Sequence, residues 1–297
     1  NILINILINE TVRMNNVALI VVMFFLVVAG TVALHFFAWD TGWWFSPLAS
    51  NWSSIDNAIL ITFWVTGFVF VTLGIFLVYC LWNYRYQKNR KSEYKPEDKK
   101  LESILVVVSA IAVVGLLAPG LSVWNNYIKV PKDAVTVEVL GYQWGWNYRL
   151  PGEDGVLGKT SISNISDDNP YGLYLEDPHG KDDIIVQDAD LHLQLDVTVN
   201  FLLRSIDVLH NFYVPEFRAK MDMVPGIVTY YWITPTKTGE YEVLCAELCG
   251  IAHYAMLGTV VVEEEKDYSK WLAQQMSFEQ ILAQNKIKNK KIKLAEK

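Results

Sequence analysis

Little of this 297-residue chain is charged, and very little of it is cysteine. Asp, Glu, Lys and Arg make up 19% of it, against roughly 25% in ordinary soluble proteins, while 52% is hydrophobic. The shortage of charge is uneven and falls in the first 125 residues, in long uncharged runs. Three cysteines exclude a disulfide scaffold in a chain of this length. Cys80 lies inside an apolar run, whereas Cys245 and Cys249 lie close together near the C-terminus and need their own explanation. Positive charge is scarce between 129 and 265, where 22 Asp and Glu stand against 9 Lys and Arg. That balance argues against nucleic-acid binding, which relies on cations facing phosphate. It suits a basic partner attracted over long range, or simply a well-solvated surface. The net charge of −7 conceals it, because residues 286–297 are strongly basic.

What the chain has instead is apolar length. Three segments, about 17–39, 58–82 and 104–123, meet the roughly 20 residues that a membrane helix needs. Pro119 is expected to kink the end of the third. The first could alternatively be a signal peptide, but it is longer than the roughly 7–15 residues of a signal core, and Arg13 is the only basic residue before it. The opening repeat NILINILINE is low in complexity and carries no assigned role. Arg85, Lys88, Arg90, Lys91, Lys95, Lys99 and Lys100 follow the second segment, whereas residues 40–57 contain no Lys or Arg. Basic loops stay inside, so everything after the third segment is expected outside, with or without the first helix. Trp39, Trp43, Trp44, Trp52 and Trp82 fall at helix ends, as an interfacial aromatic belt does.

From Lys129 the period changes from helix to strand. Val135, Val137 and Val139 alternate with their neighbours, and Tyr142, Trp144, Trp146 and Tyr148 are expected on one strand face. Further strands are expected at 191–199, 228–234, 240–244 and 259–262. Residues 152–190 look like a polar excursion, and 267–285 like a helix. The expected organisation is a transmembrane anchor over 1–128, an all-β domain over 129–265, and a C-terminal helix with a basic tail over 266–297.

The chemistry is concentrated in Cys245-Ala-Glu-Leu-Cys249-Gly-Ile-Ala-His253-Tyr-Ala-Met256, with His210 upstream. Two thiols, two imidazoles and a thioether favour copper, a soft-ligand metal. A disulfide would leave His210, His253 and Met256 unexplained. A tetrahedral zinc site would leave Met256 unused and lacks the usual ligand spacing. A mononuclear blue-copper site would leave one cysteine over, whereas two copper ions bridged by both thiolates would use every group.

The runs Ser205-Ile206-Asp207-Val208-Leu209-His210-Asn211-Phe212-Tyr213-Val214-Pro215 and Lys220-Met221-Asp222-Met223-Val224-Pro225-Gly226, with Cys245 to Met256, resemble cytochrome c oxidase subunit II. The likeness covers most of 135–262 and the helix leading into it. It implies a cupredoxin-like Greek-key barrel carrying a dinuclear copper (CuA) centre. By the same resemblance, Cys245 and Cys249 bridge the coppers, His210 and Met256 complete one, and His253 and the Glu247 carbonyl complete the other. The Glu247 side chain would face a magnesium ion shared with the haem-bearing subunit I. Trp144 would be where electrons from cytochrome c enter, and Asp207 would be a docking residue. Arg218 and Asp222 fall in matching stretches, and Glu102 resembles a glutamate near a proton-uptake path. The implied activity is electron transfer in a proton-pumping respiratory oxidase, with oxygen chemistry in the haem subunit. The setting would be a bacterial plasma or mitochondrial inner membrane, with membrane lipid and the other oxidase subunits as partners.

The chain departs from the family in places. A helix precedes the usual two, Gly145 stands where members carry an aromatic, and Ile206 where many carry an acid. Leu105 and Val106 occupy the positions of an expected Trp-Thr and Pro signal, and the insert near 164–190 is long. These departures bear on docking and on the proton path. Competing readings are a copper-bearing subunit of a nitric-oxide reductase, a non-enzymatic membrane copper protein, and a quinol oxidase subunit, which would lack the ligands. A fused cytochrome c domain is excluded, because no C-x-x-C-H motif is present. His35, alone near a helix end, is expected to be interfacial.

Overall fold

The structure, a computed structural model, describes residues 2–38, 41, 44–85, 87, 89–91, 93–166 and 168–295, with side-chain surroundings over 18–287 of these. Trp39, Trp43 and Lys88 lie outside the described residues. The chain forms two compact units, Asn1–Ser46 with Ile55–Leu121, and Pro47–Ser54 with Ser122–Lys297.

Helices dominate the first unit. They are α1 (Ile2–Phe37), α2 (Ser53–Asn83) and α3 (Lys99–Tyr127), whose last turn belongs to the second unit. Each extends beyond its apolar run, because backbone hydrogen bonding continues into polar sequence. Asp98 caps α3, its carboxylate accepting the Leu101 N–H at 3.1 Å, and the helix continues through Pro119. Ala18–Phe37, α2 and α3 have mean hydropathies of 2.6, 2.3 and 2.6, and all three are long and apolar enough to cross a membrane. Gly74 of α2 leaves a notch filled by the Phe24 ring of α1; a Cβ there would lie 2.0 Å from it.

Among the described residues, the second unit is a cupredoxin-like β-sandwich of ten strands. β1 (Val135–Tyr142), β2 (Gly145–Leu150), β3 (Ile184–Gln187), β5 (Val199–Ser205) and β8 (Thr229–Ile233) form one sheet, in the order β3-β2-β1-β5-β8. β4 (Leu191–Gln194), β6 (His210–Val214), β7 (Ala219–Met223), β9 (Gly239–Cys245) and β10 (Leu257–Glu263) form the other, in the order β4-β10-β9-β6-β7. The β1–β5 and β10–β4 pairs are parallel and the others antiparallel. Val137, Val139, Tyr148, Phe201, Leu203, Phe212, Tyr231 and Val243 are fully buried, and their rings and branched chains fill the sandwich.

Three sequence expectations need correction. Tyr142, Trp144, Trp146 and Tyr148 do not share one strand face, because a hairpin turn at Gln143-Trp144 separates β1 from β2. Trp146 and Tyr148 enter the core, while Trp144 sits on the turn. The strand expected over 191–199 is two strands in different sheets, divided by a turn with Asp196 at φ 58°. The helix expected over 267–285 is α5 (Glu265–Leu272) and α6 (Phe278–Ala295).

The insert is anchored to the sandwich. It contributes β3 and the short α4 (Pro178–Lys181). Leu140 of β1 points outward and is buried with Tyr171, Leu173, Ile185 and Phe278. Below them lies a buried ionic knot. Arg149 pairs with Glu138 and with Asp183 (2.5 Å), and Arg204 donates to Glu138 at 2.7 Å. Arg149 also donates to the Gly158 carbonyl at 3.1 Å, and Arg204 to the Tyr171 carbonyl at 3.2 Å. Both faces of β1 are therefore covered, which explains its unbroken burial from Val137 to Gly141.

Candidate metal centre

Two strands and one loop build the site. β6 pairs with β9 through Phe212–Cys245 and Tyr213–Leu244, which brings His210, at the start of β6, beside Cys245, at the end of β9. The loop to β10 then turns back on itself. The Cys245 N–H donates to the Met256 carbonyl (3.3 Å), the Ala246 N–H to Asn211 (3.1 Å) and the Met256 N–H to His253 (3.2 Å). Gly250 sits at φ +127°, a conformation open to glycine and strained for other residues.

The donor atoms face one another. Cys245 Sγ lies 3.7 Å from Cys249 Sγ, 3.9 Å from His210 Nδ1 and 3.2 Å from the Glu247 carbonyl oxygen. Cys249 Sγ lies 3.5 Å from His253 Nδ1 and 3.7 Å from Met256 Sδ. Both cysteines are free thiols. Among the described residues, one group of His, Cys, Asp and Glu side chains could hold a metal ion: His210, Cys245 and Cys249, with ligand atoms all within 4.8 Å of one another. The rest of the donor set is soft or neutral, which suits copper. Burial pushes the Cys245 thiol up, but its hydrogen bonds with His210 and with the backbone at Glu247 and Asn211 outweigh this and bring it down to about 6. Burial pushes Cys249 up to about 11, with the neighbouring Cys245 adding to the effect. A metal binds the thiolate forms, so binding would displace the thiol protons.

An outer layer orients the ligands. Asp207 Oδ1 lies 2.8 Å from His210 Nε2, which leaves Nδ1 facing the sulfurs. Burial pushes the Asp207 carboxyl up, but bonds from His210, the Val208 N–H and the Gln143 N–H outweigh it and hold the group below the usual carboxylate range. Burial lowers His210, and its contacts with Cys245 and Asp207 raise it further than that. Gly141 of β1 makes room for the imidazole.

The other residues singled out in the sequence are dispersed. Trp144, 39% exposed, lies on the β1–β2 turn with its indole against Gly250 of the ligand loop. Asp222 accepts from the Asn211 side chain at 2.6 Å, and Arg218 donates to the Pro215 carbonyl at 2.6 Å, so both serve the β6–β7 corner. Glu102 is exposed in the first turn of α3, and His35 packs edge-on against Trp44 at 5.0 Å. Sequence reasoning missed Gln143, whose side chain donates to the Cys249 carbonyl at 2.8 Å. The flanking glycines, Gly141 and Gly145, were the available sign of a turn there. Around the loop, Leu248, Ile251 and Tyr254 form an exposed apolar collar.

Residues 135–264, the whole sandwich, match the family model described as cytochrome C oxidase subunit II, periplasmic domain. The alternative cytochrome c oxidase subunit 2 of Bradyrhizobium diazoefficiens is 52% identical over 262 residues, 88% of this chain and 94% of that one. The chain belongs to the cytochrome c oxidase subunit II family. The cytochrome c oxidase subunit 2 of Cereibacter sphaeroides is 30% identical over 77% of each chain. Among solved structures, the periplasmic domain of subunit II of cytochrome oxidase from Bradyrhizobium japonicum matches with a TM-score of 0.36 and 25% identity, covering 49% of this chain and 95% of that one. Membership makes this chain a subunit of a haem-copper oxidase, an oxidoreductase complex. The apolar helices fit a membrane anchor, and the sandwich fits an outward-facing domain. The His210, Cys245 and Cys249 cluster fits copper binding.

Proposed function

We propose that this chain accepts electrons from cytochrome c at a dinuclear copper centre and passes them to the haem-bearing subunit, where oxygen is reduced and protons are pumped. The observation that carries this is the convergence of two thiols, two imidazole Nδ1 atoms, a thioether and a carbonyl within one loop and one strand start. Cys245 and Cys249 would be shared by both ions, His210 and Met256 would complete one site, and His253 and the Glu247 carbonyl the other. When bound, the centre supplies a one-electron store whose charge is spread over two metals. The protein's part is to hold the ligands still, through the paired strands, the loop's internal hydrogen bonds and the Asp207–His210 bond.

Trp144 is the point where electrons enter, because its part-exposed indole packs against Gly250 of the ligand loop. The surplus of 13 negative charges over residues 129–265, Asp207 among them, attracts a basic cytochrome. The Glu247 side chain is assigned a magnesium ion shared with the haem subunit. The three helices cross a respiratory membrane, with the basic loop after α2 inside and the sandwich outside. Leu248, Ile251 and Tyr254 are apolar surface for a partner in the complex.

The deciding measurement is copper stoichiometry with electron paramagnetic resonance on the full chain in detergent. Two coppers per chain with hyperfine splitting shared over both nuclei are expected, and Cys249→Ser should abolish the sharing. One copper with a localised spectrum, or none, overturns the assignment.

A further inference from the structure

We propose that Asp207 and Gln143 form a clamp that fixes the Trp144 indole against the metal-binding loop, so that both are positioning residues for electron transfer. The proposal rests on the copper and Trp144 assignments above and goes beyond them. The Asp207 carboxylate is engaged on the inside. Oδ1 lies 2.8 Å from His210 Nε2 and accepts the Val208 N–H at 2.7 Å, while Oδ2 accepts the Gln143 N–H at 2.6 Å. One carboxylate therefore joins a metal ligand to the residue immediately before Trp144. Its side chain is only 28% exposed, which suits an internal brace better than a free surface charge.

Gln143 supplies the second tie. Its Nε2 donates to the Cys249 carbonyl at 2.8 Å, so its side chain fastens the turn to the ligand loop while Asp207 holds its backbone N–H. Gly250 allows the close approach. A Cβ there would lie 3.1 Å from Trp144 Cζ2, 3.3 Å from Trp144 Nε1 and 2.9 Å from Gln143 Nε2. A turn on its own would let the indole wander; with these ties, its separation from the cysteine sulfurs is set by two groups, Asp207 and Gln143, that also hold His210 and the Cys249 carbonyl. Tunnelling depends steeply on distance, so the clamp acts on the rate of transfer and leaves affinity for the donor unchanged.

The test uses the assembled oxidase, with Asp207→Asn and Gln143→Leu, and reads reduction of the copper centre by cytochrome c across donor concentration and salt. The wild-type copper spectrum is recorded first; its absence would overturn the functional assignment and this proposal with it. Given that spectrum, Gln143→Leu, which changes no charge, should lower the limiting rate by about tenfold or more, with the half-saturating concentration and salt slope unchanged. Asp207→Asn should lower the limiting rate similarly and shift the copper hyperfine pattern through His210. If instead Asp207→Asn only raises the half-saturating concentration and flattens the salt dependence, while Gln143→Leu behaves as wild type, the clamp is wrong and Asp207 is a docking charge alone.

Discussion

Gly141 shows how one residue serves the metal centre without touching it. It lies on the inner face of β1, and a Cβ there would stand 3.3 Å from His210 Cδ2 and 3.3 Å from Met223 Cε. The imidazole occupies the space a side chain would take. Alanine would ask its neighbours for a few tenths of an ångström, but a branched side chain would push the ring off its line to Cys245. We expect Gly141→Val to cost about 1–3 kcal/mol of stability through overpacking and to weaken copper retention about tenfold or more. Denaturant unfolding and copper-to-protein ratios after dialysis against a chelator check this. A variant that keeps both its unfolding midpoint and its copper would show that the site has slack the geometry denies.

At the level of elements, the insert and α6 matter because they close the outer face of a sheet that would otherwise face water. The closure is half apolar, around Leu140 and Phe278, and half ionic, around Arg149. Glu138 and Asp183 are both buried, and burial pushes the Asp183 carboxyl up to about 6. Arg149 is the cation both of them share. Arg149→Met should therefore destabilise the domain by about 3–5 kcal/mol, because it leaves buried Asp183 without its cation and Glu138 with Arg204 alone. Limited proteolysis should then cut within 152–190 faster than in the wild type. A variant as resistant as wild type would mean the insert is held by its apolar contacts alone.

For the whole molecule, charge and apolarity are sorted into regions. The acidic surplus belongs to the sandwich, while the helices are nearly uncharged within their spans. The attraction of a basic cytochrome should therefore depend on screening. Raising ionic strength from about 0.01 to 0.15 M shortens the Debye length from roughly 30 to 8 Å, and the second-order rate of reduction should fall about tenfold or more. Stopped-flow reduction at low donor concentration measures it. A rate indifferent to salt would place recognition on apolar contacts such as Leu248, Ile251 and Tyr254.

The sequence by itself determined the three apolar helices, the change to strands after Lys129, and the run of candidate donors from Cys245 to Met256. Each is local: a hydrophobic run, a period of two, and a spacing of four, four and three residues within one loop. Tertiary structure decided what depends on chain reversal and on long-range pairing. The aromatic run from Tyr142 to Tyr148 reads as one strand, because alternation alone does not reveal a two-residue turn. The hairpin sends Trp146 into the core and leaves Trp144 outside. The 191–199 stretch divides between two sheets for the same reason. The 152–190 segment looks like a solvated loop because its charges are counted singly. Only in three dimensions do Glu138, Arg149, Asp183 and Arg204, up to 66 residues apart, neutralise one another beneath it. Asp207 and Gln143, 64 residues apart, likewise meet only once β1 and β5 run side by side. Residue type announces which chemistry is present; the distances that let it work come from strand pairing, which no short window of sequence contains.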